Sequence, residues 1–432
     1  MVEKDLEQLF DRLWPICRSI TGEGINKSLD ILSEYIPLKF FSKNTGEKVF
    51  DWTIPKEWIM REAYLKGPDG KIYCDFKKSN LSIINYSSPI NDYLEFNELK
   101  NHIFTLENIP NAIPYVTSYY QSNWGFCLSY NDYIKLPKSG KYHCFINSEH
   151  VEGSLNYCQF LLDGGCNNKE ILLSSYLCHP SLANNELSGP LVLIGLFNRI
   201  KNWKFRRFNY RFYIGPETIG SLSYLSDFGD ILKKQTILGL VLTCLGGKNN
   251  NLSIKLPKDV NSFAYKYLSS LKDIRKRIFT PDGGSDERQY CSPGFNLPVA
   301  NICRDVYGEY DEYHNSLDNK EFMGIKSLIS SINRLEELLL DFEMQYPFQR
   351  YEGRGEPQLG KRNLYPNINS QFTWKASADN IFDGKELRKS LMWLLSYSDG
   401  KHSLQDIHLL SGCKIESLKY ASKLSLENNL IY

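Results

Sequence analysis

The stretch Ile171–Gly189, ILLSSYLCHPSLANNELSG, decides how this chain folds. Its opening, Ile171-Leu172-Leu173, is an apolar run of the kind that forms a strand buried on both faces. Cys178-His179-Pro180 breaks the run. Proline cannot donate to a ladder, so His179 is left at the strand's C-terminal end. A short polar loop, Ser181 to Glu186, precedes an apolar stretch from Leu187 to Ile200 that is long enough for a helix. In open α/β sheets, ligands bind in the crevice beyond the carboxyl ends of the strands. A strand end and a helix start therefore deliver His179 and the pair Asn185-Glu186 to one crevice, a rigid frame on which a metal site can be built.

Downstream, the same alternation continues. Phe208 to Ile214 alternates as a strand and runs into Gly215-Pro216-Glu217 and a helix. Ile237 to Leu245 is a further β-type run, Asp259 to Arg277 reads as helical, Pro298 to Cys303 as a short buried strand, and Ile325 to Phe342 as a strongly amphipathic helix. Strands alternating with helices predict a doubly wound, mostly parallel α/β sheet. Upstream, two amphipathic helices end near Pro15 and Pro37. The texture then changes to short aromatic or alternating runs (VFDWTIPKEW, KIYCDF, LSIINYS) divided by turns such as Gly67-Pro68-Asp69-Gly70, which predicts a small inserted β domain. The expected organisation is an α/β domain from residues 1–40 and 125–345, a β-rich insertion over 41–124, a Gly/Pro/Arg-rich linker over 346–382, and a winged-helix-like unit of three helices and a strand over 383–432.

Basic and acidic residues nearly cancel, 51 against 50, so no global field draws the chain to nucleic acid or to an acidic membrane. Eleven scattered cysteines without a CxxC pair argue against a disulfide framework and for a reducing, cytoplasmic setting. The N-terminal MVEKDLEQLFDRLW has no signal-peptide character, and no window approaches a membrane span. The third helix of the tail carries Lys414, Lys419 and Lys423 against Glu416 and Glu427. This is too mild a charge for confident phosphate contacts, so nucleic acid is a less favoured partner than a protein surface, including a homo-oligomer formed through the tail.

Four segments end strands with metal- or proton-handling residues: His179 with Asn185 and Glu186, then Glu217, then Asp286 in GGSDERQY, then His314 in YHNSLDN. A catalytic zinc takes three protein ligands from His, Asp or Glu and keeps one position open for water, with a carboxylate nearby as general base. In this order the segments resemble the zinc aminopeptidases, a family with a doubly wound α/β fold. More closely, CHPSLANNELSGP, PETIGS, EYHNSLDN and GEPQLGKRNLYP resemble a group of largely uncharacterised bacterial proteins, often labelled as polysaccharide biosynthesis proteins. Those carry an aminopeptidase-like domain, an inserted β domain and a C-terminal winged helix.

The resemblance implies metal ligands drawn from His179, Asn185, Glu186, Glu217 and His314, with Glu217 and Asp286 as the catalytic carboxylates. Asn185 stands where that family keeps a bridging aspartate, and Thr243 falls where another aspartate ligand would lie. A neutral amide does not offset the repulsion of two dications, so one zinc ion is expected rather than two. The implied function is hydrolysis of an N-terminal peptide bond or a related small amide by metal-activated water. The competing reading is a non-catalytic ligand- or nucleic-acid-binding regulatory protein that retains the fold and has lost the chemistry. Arg304, Tyr307 and Tyr313 are further candidates, for binding a substrate carboxylate.

Overall fold

The computed structural model describes residues 3–165, 168–364 and 384–432. Helices α1 (Glu3–Leu13) and α2 (Glu23–Ser33) bury the stripes Leu6-Leu9-Phe10-Leu13 and Ile25-Leu29-Leu32 that their periodicity sets. Strand β1 (Lys39–Asn44) follows. The chain then builds a four-stranded antiparallel sheet from β2 (Glu57–Lys66), β3 (Ile72–Asp75), β4 (Ile90–Glu95) and β5 (Lys141–Val151), in the order β3-β2-β5-β4. Trp58, Leu65, Phe126 and Tyr142 belong to its core. Strand β5 lies beyond the 41–124 span expected for the insertion. Alternation marks KYHCFINSEHV as a strand, but local periodicity does not encode which sheet a strand joins.

The main sheet continues with β6 (Ser154–Leu162), β7 (Glu170–Tyr176), β8 (Asn209–Gly215), β9 (Thr236–Leu242), β10 (Ser253–Lys255), β11 (Arg275–Arg277) and β12 (Val299–Cys303). With β1 it forms eight strands in the order β1-β6-β8-β7-β9-β12-β10-β11. Its centre, β7-β9-β12, is parallel, as the unbroken burial of ILLSS, LGLVL and VANIC requires. Antiparallel pairs flank it, β1-β6 and β6-β8 on one side and β12-β10 on the other. The expected doubly wound α/β fold is present, with these mixed margins. From β7 the chain moves to β8 on one side and then back across to β9 on the other. That reversal opens a crevice at the carboxyl ends of β7, β8 and β9.

Helices α3 (Ser188–Ile200), α4 (Ile219–Gln235) and α5 (Phe263–Ser270) connect strands, and α6 (Ile325–Gln345) follows the last of them. The helix expected over 259–277 is only α5, because Arg275–Arg277 instead pairs with β10 as the sheet's edge strand. Helix α3 is buried almost all round and lies unusually close to its neighbours. A Cβ on Gly189 would sit 2.3 Å from the Leu242 carbonyl oxygen and from Ser175 Oγ, so glycine sets how near the helix start approaches β9.

By its internal packing the chain divides into two units, the second comprising Gly164–Asn168, Lys204–Asn209 and Glu336–Tyr432. There α7 (Gly384–Tyr397), α8 (Leu404–Ser411) and α9 (Ile415–Glu427) pack Leu391, Leu394, Ile407 and Leu418 together with Phe348 and Leu359. Ser403 and Asp406 form the reciprocal cap of α8 that their spacing predicts. Gln349 and Tyr432 exchange backbone hydrogen bonds of 3.1 and 2.8 Å, pairing the chain's last residues with a segment that precedes the helices. Buried Arg207 donates to the carbonyls of Glu343, Tyr346, Pro347 and Tyr432. Residues 348–364 are thus part of this unit's structure rather than a linker. The remainder of the expected linker, 365–382, lies outside the described residues, as does Asp383. No helix among the described residues is long and apolar enough to cross a membrane.

The close approach at Gly189 gives a direct test. Gly189→Ala places a methyl group against backbone that cannot rotate away, and is expected to cost about 1–3 kcal/mol of stability. A lower denaturant midpoint at unchanged m-value measures it.

Candidate metal and catalytic site

The crevice is built from chain that leaves the central strands. After β7, Pro180 ends the ladder and Ser181 turns left-handed at φ 48°. Ala183–Leu187 then forms a single π turn that runs directly into α3. Such turns add one residue to a helical coil and recur at functional sites. Here the turn is held by Asp318, whose carboxylate accepts the backbone N–H groups of Asn184 (2.6 Å) and Asn185 (2.8 Å). Burial raises the Asp318 carboxyl to about 7 despite these donors.

His179 is buried and committed on one side. Its Nδ1 donates to Glu186 Oε2 at 2.6 Å, while Glu186 Oε1 accepts the Cys178 N–H. This bond sets the tautomer and leaves Nε2 as the free lone pair. Behind the pair sits Arg18, fully buried, with Nε 3.0 Å from the His179 carbonyl and 4.0 Å from Glu186 Oε1. Its NH1 donates to the Leu13 carbonyl at 2.6 Å. Burial opposes charging of His179, but Glu186 and then Glu217 outweigh it and hold its pKa above the usual value.

Glu217 follows β8. The Glu217 carbonyl accepts the Ile219 N–H at 2.8 Å across Thr218, which adopts φ 63° and ψ −75°. This is the strained γ-turn, rare for any side chain and more so for a β-branched one. It swings the Glu217 carboxylate toward His179, with Oε2 3.7 Å from Nε2, while Ser285 Oγ donates to Oε1 at 2.6 Å. Burial raises the Glu217 pKa, against the opposing pull of His179 and the Ser285 hydrogen bond. Thr218 and His314, both lining the crevice, take positive φ without being glycine, as do Ser181 and Cys244. Strain of this kind concentrates where structure serves function.

His314 comes from a loop clamped by the inserted segment. The Tyr115 N–H donates to the His314 carbonyl at 2.8 Å, and Ile113 and Ser316 bond one another on either side. The Tyr115 ring stands edge-on to both imidazoles, at 4.9 Å from His179 and 5.4 Å from His314. The two imidazoles are 5.5 Å apart. Burial and the neighbouring His179 push His314 down to about 3, so it is neutral. A cavity of about 310 Å³ opens over this group, walled by Trp52, Tyr115, Tyr119 and Tyr120 of the inserted region. Glu217 is its one lining carboxylate among the described residues.

The structure thus brings His179, Glu217 and His314 to one cavity, with Glu186 and Asn185 beneath. Glu186, expected among the metal ligands, accepts from His179 Nδ1 and from the Cys178 N–H, and Cys178, His179 and Glu186 each offer a ligand atom within 4.8 Å of the others. The Asn185 amide donates to Tyr176 Oη and Cys244 Sγ, leaving Oδ1 buried without a partner. Asp286, expected as a catalytic carboxylate, lies behind Glu217. Its Oδ1 accepts the Thr218 N–H (2.7 Å) and Ser221 Oγ (2.9 Å), fastening the γ-turn, and Oδ2 has no partner. Arg304 is no substrate anchor, since its guanidinium is spent on the carbonyls of Asn249, Asn250 and Ser327 and on Ser331 Oγ. Sequence reasoning missed Arg18, Ser285 and Tyr115. Arg18 lies between two helices where no periodicity marks a buried cation, and Tyr115 lies in the segment assigned to a separate domain.

A family model described as Domain of unknown function (DUF4910) matches residues 7–345, and one described as winged helix-turn-helix matches residues 347–432. The chain belongs to the DUF4910 family. This DUF4910 chain is 38% identical over 422 residues, 97% of its own length and 94% of the other's, to a Clostridium acetobutylicum protein. That relative is described as a candidate polysaccharide biosynthesis protein with an aminopeptidase-like domain. A solved structure of a candidate peptidase from C. acetobutylicum matches with TM-score 0.81 at 35% identity, covering 100% of this chain and 96% of that one. A zinc aminopeptidase from Bacillus subtilis matches with TM-score 0.55 at 10% identity, covering 78% of this chain and 94% of that one. The last likeness establishes the aminopeptidase-like fold of the DUF4910 chain.

Asp286 offers a pH test. Burial first, then the charge of Glu217, raise its carboxyl from 3.8 to about 8. Between those values the folded state holds a proton the unfolded chain has lost, so stability falls as pH rises through the window. Asp286→Asn keeps the shape without the acid. The variant is expected to gain stability relative to the parent above about pH 8, and the gain should vanish below about pH 4. Thermal melts across that range measure it.

Proposed function

We propose that this chain is a metal-dependent amide hydrolase of aminopeptidase type that uses one divalent ion, zinc by the chemistry of its donors. The observation that carries the reading is the pair His179 and His314 over a cavity whose lining carboxylate is Glu217. Two imidazoles sharing a tetrahedral ion have ring centres roughly 5 Å apart, and these stand at 5.5 Å. His179 and His314 supply two donors, and the orphaned Oδ1 of Asn185 a neutral third. Zinc bound there would polarise the substrate carbonyl and acidify water. Glu186 keeps the proton on His179 Nδ1, and burial keeps His314 unprotonated. Glu217, with Oε1 pinned by Ser285 and its pKa raised, uses Oε2 to take the proton from the attacking water and return it to the leaving amine. The tyrosine wall excludes bulk water and limits the bound portion of substrate to a small group.

The described cysteines are all unpaired, which suits a reducing compartment such as the cytoplasm. In the C-terminal unit Lys419 is paired with Asp341 at 3.1 Å. That spends one of the few cations on α9 and favours a protein partner, a second copy included, over nucleic acid.

Elemental analysis and a panel of aminoacyl, dipeptide and N-acyl amino-sugar amides test the reading. His314→Ala is expected to lose the ion. Glu217→Gln is expected to keep it while turnover falls roughly 100- to 10,000-fold. A parent protein that takes up no divalent ion, or a Glu217→Gln variant that turns over normally, overturns the assignment.

A further inference from the structure

A second cavity, of about 370 Å³, adjoins the first. Tyr119 and Tyr120 line both. The same two runs of chain wall the pair, since Trp52 and Thr117 face the first cavity while the residues next to them, Thr53 and Ser118, face the second. The two together form one trough leading away from Glu217. None of the residues lining its far part is a carboxylate, and its one cation, Lys56, is paired with Glu152 at 3.2 Å. What it offers is hydroxyl, amide and imidazole. Ser88 and Ser122 share a hydrogen bond of 3.0 Å, and Gln121 stands beside them at the surface. His150 Nε2 is buried with no partner, its ring held 4.5 Å from that of Tyr86.

We infer that this far part of the trough is a leaving-group subsite for a neutral, polyhydroxylated ring, so that the substrate is an N-acyl amino sugar rather than a peptide. The inference rests on the amide-hydrolase reading for its place in the reaction, but the binding stands on the lining alone. Each hydroxyl both donates and accepts. A wall of serines and an amide, with the buried imidazole nitrogen behind it, therefore complements ligand groups that also do both. A peptide leaving group presents fixed N–H donors, C=O acceptors and a terminal carboxylate, which ask for a backbone edge or a free cation. The exposed face of Tyr120 covers the apolar side of a ring.

The test is calorimetric titration of the full-length protein with the methyl glycoside of an N-acetylhexosamine and, separately, with glycylglycine. The glycoside is expected to bind at millimolar concentration. His150→Phe, which keeps the ring without the nitrogen, and the surface variant Gln121→Ala are each expected to weaken it about tenfold, the worth of one hydrogen bond of about 1.4 kcal/mol. No binding of the glycoside, equal binding by both variants, or binding of glycylglycine in its place with the same sensitivity overturns the inference. Absence of amide turnover with glycoside binding intact would count against the catalytic reading alone.

Discussion

One buried charge organises the site. Glu186 lies at the foot of α3, almost wholly removed from water, and a carboxylate there costs several kcal/mol unless every lone pair is answered. The answers come from three parts of the chain: the Cys178 N–H where β7 has just ended, the Nδ1 proton of His179, and the guanidinium of Arg18. Arg18 is in turn anchored to the last residue of α1 through the Leu13 carbonyl. The first helix, the central strand and the start of α3 are therefore tied through one carboxylate. The free nitrogen of His179 faces the cavity because its other nitrogen is fixed in this way.

A second constraint holds Glu217. The γ-turn at Thr218 is costly, and Asp286 stabilises it by accepting both the Thr218 N–H and the Ser221 hydroxyl. Asp286 thus fastens the turn from one layer behind Glu217. The inserted region supplies the other side. Its segment around Tyr115 is hydrogen-bonded to the His314 loop, so a tyrosine from residues 113–120 and a histidine two hundred positions later meet across one cavity. A cavity wall supplied by inserted chain can change without disturbing the strands beneath it.

Much of this was legible in the residues themselves. The alternation of ILLSS, NYRFYIG and VANIC with apolar helices announced the sheet, and His179, Glu217 and His314 stood at strand ends or loops as the fold class requires. What could not be read was partnership. Glu186 and Asn185 are neighbours with equal claim to a ligand position, and only the π turn decides that Glu186 faces back toward His179. Asp286 took its catalytic role from the resemblance alone, yet its partners lie 68 and 65 residues away on the turn it secures. Strand β5 and the 348–351 segment were misplaced for the same reason. A strand's sequence declares its period, and its neighbour is chosen by the rest of the fold.

The π turn also carries a historical implication. A π turn holds one residue more than an α turn, so Ala183–Leu187 is equivalent to a helix that has accepted a single inserted amino acid. Loss of one residue there would restore regular winding and rotate everything before it by about 100° relative to α3. The hydrogen bond between His179 and Glu186 depends on that register. A lineage could thus lose or regain the support of the histidine through one codon, with Glu186 itself retained.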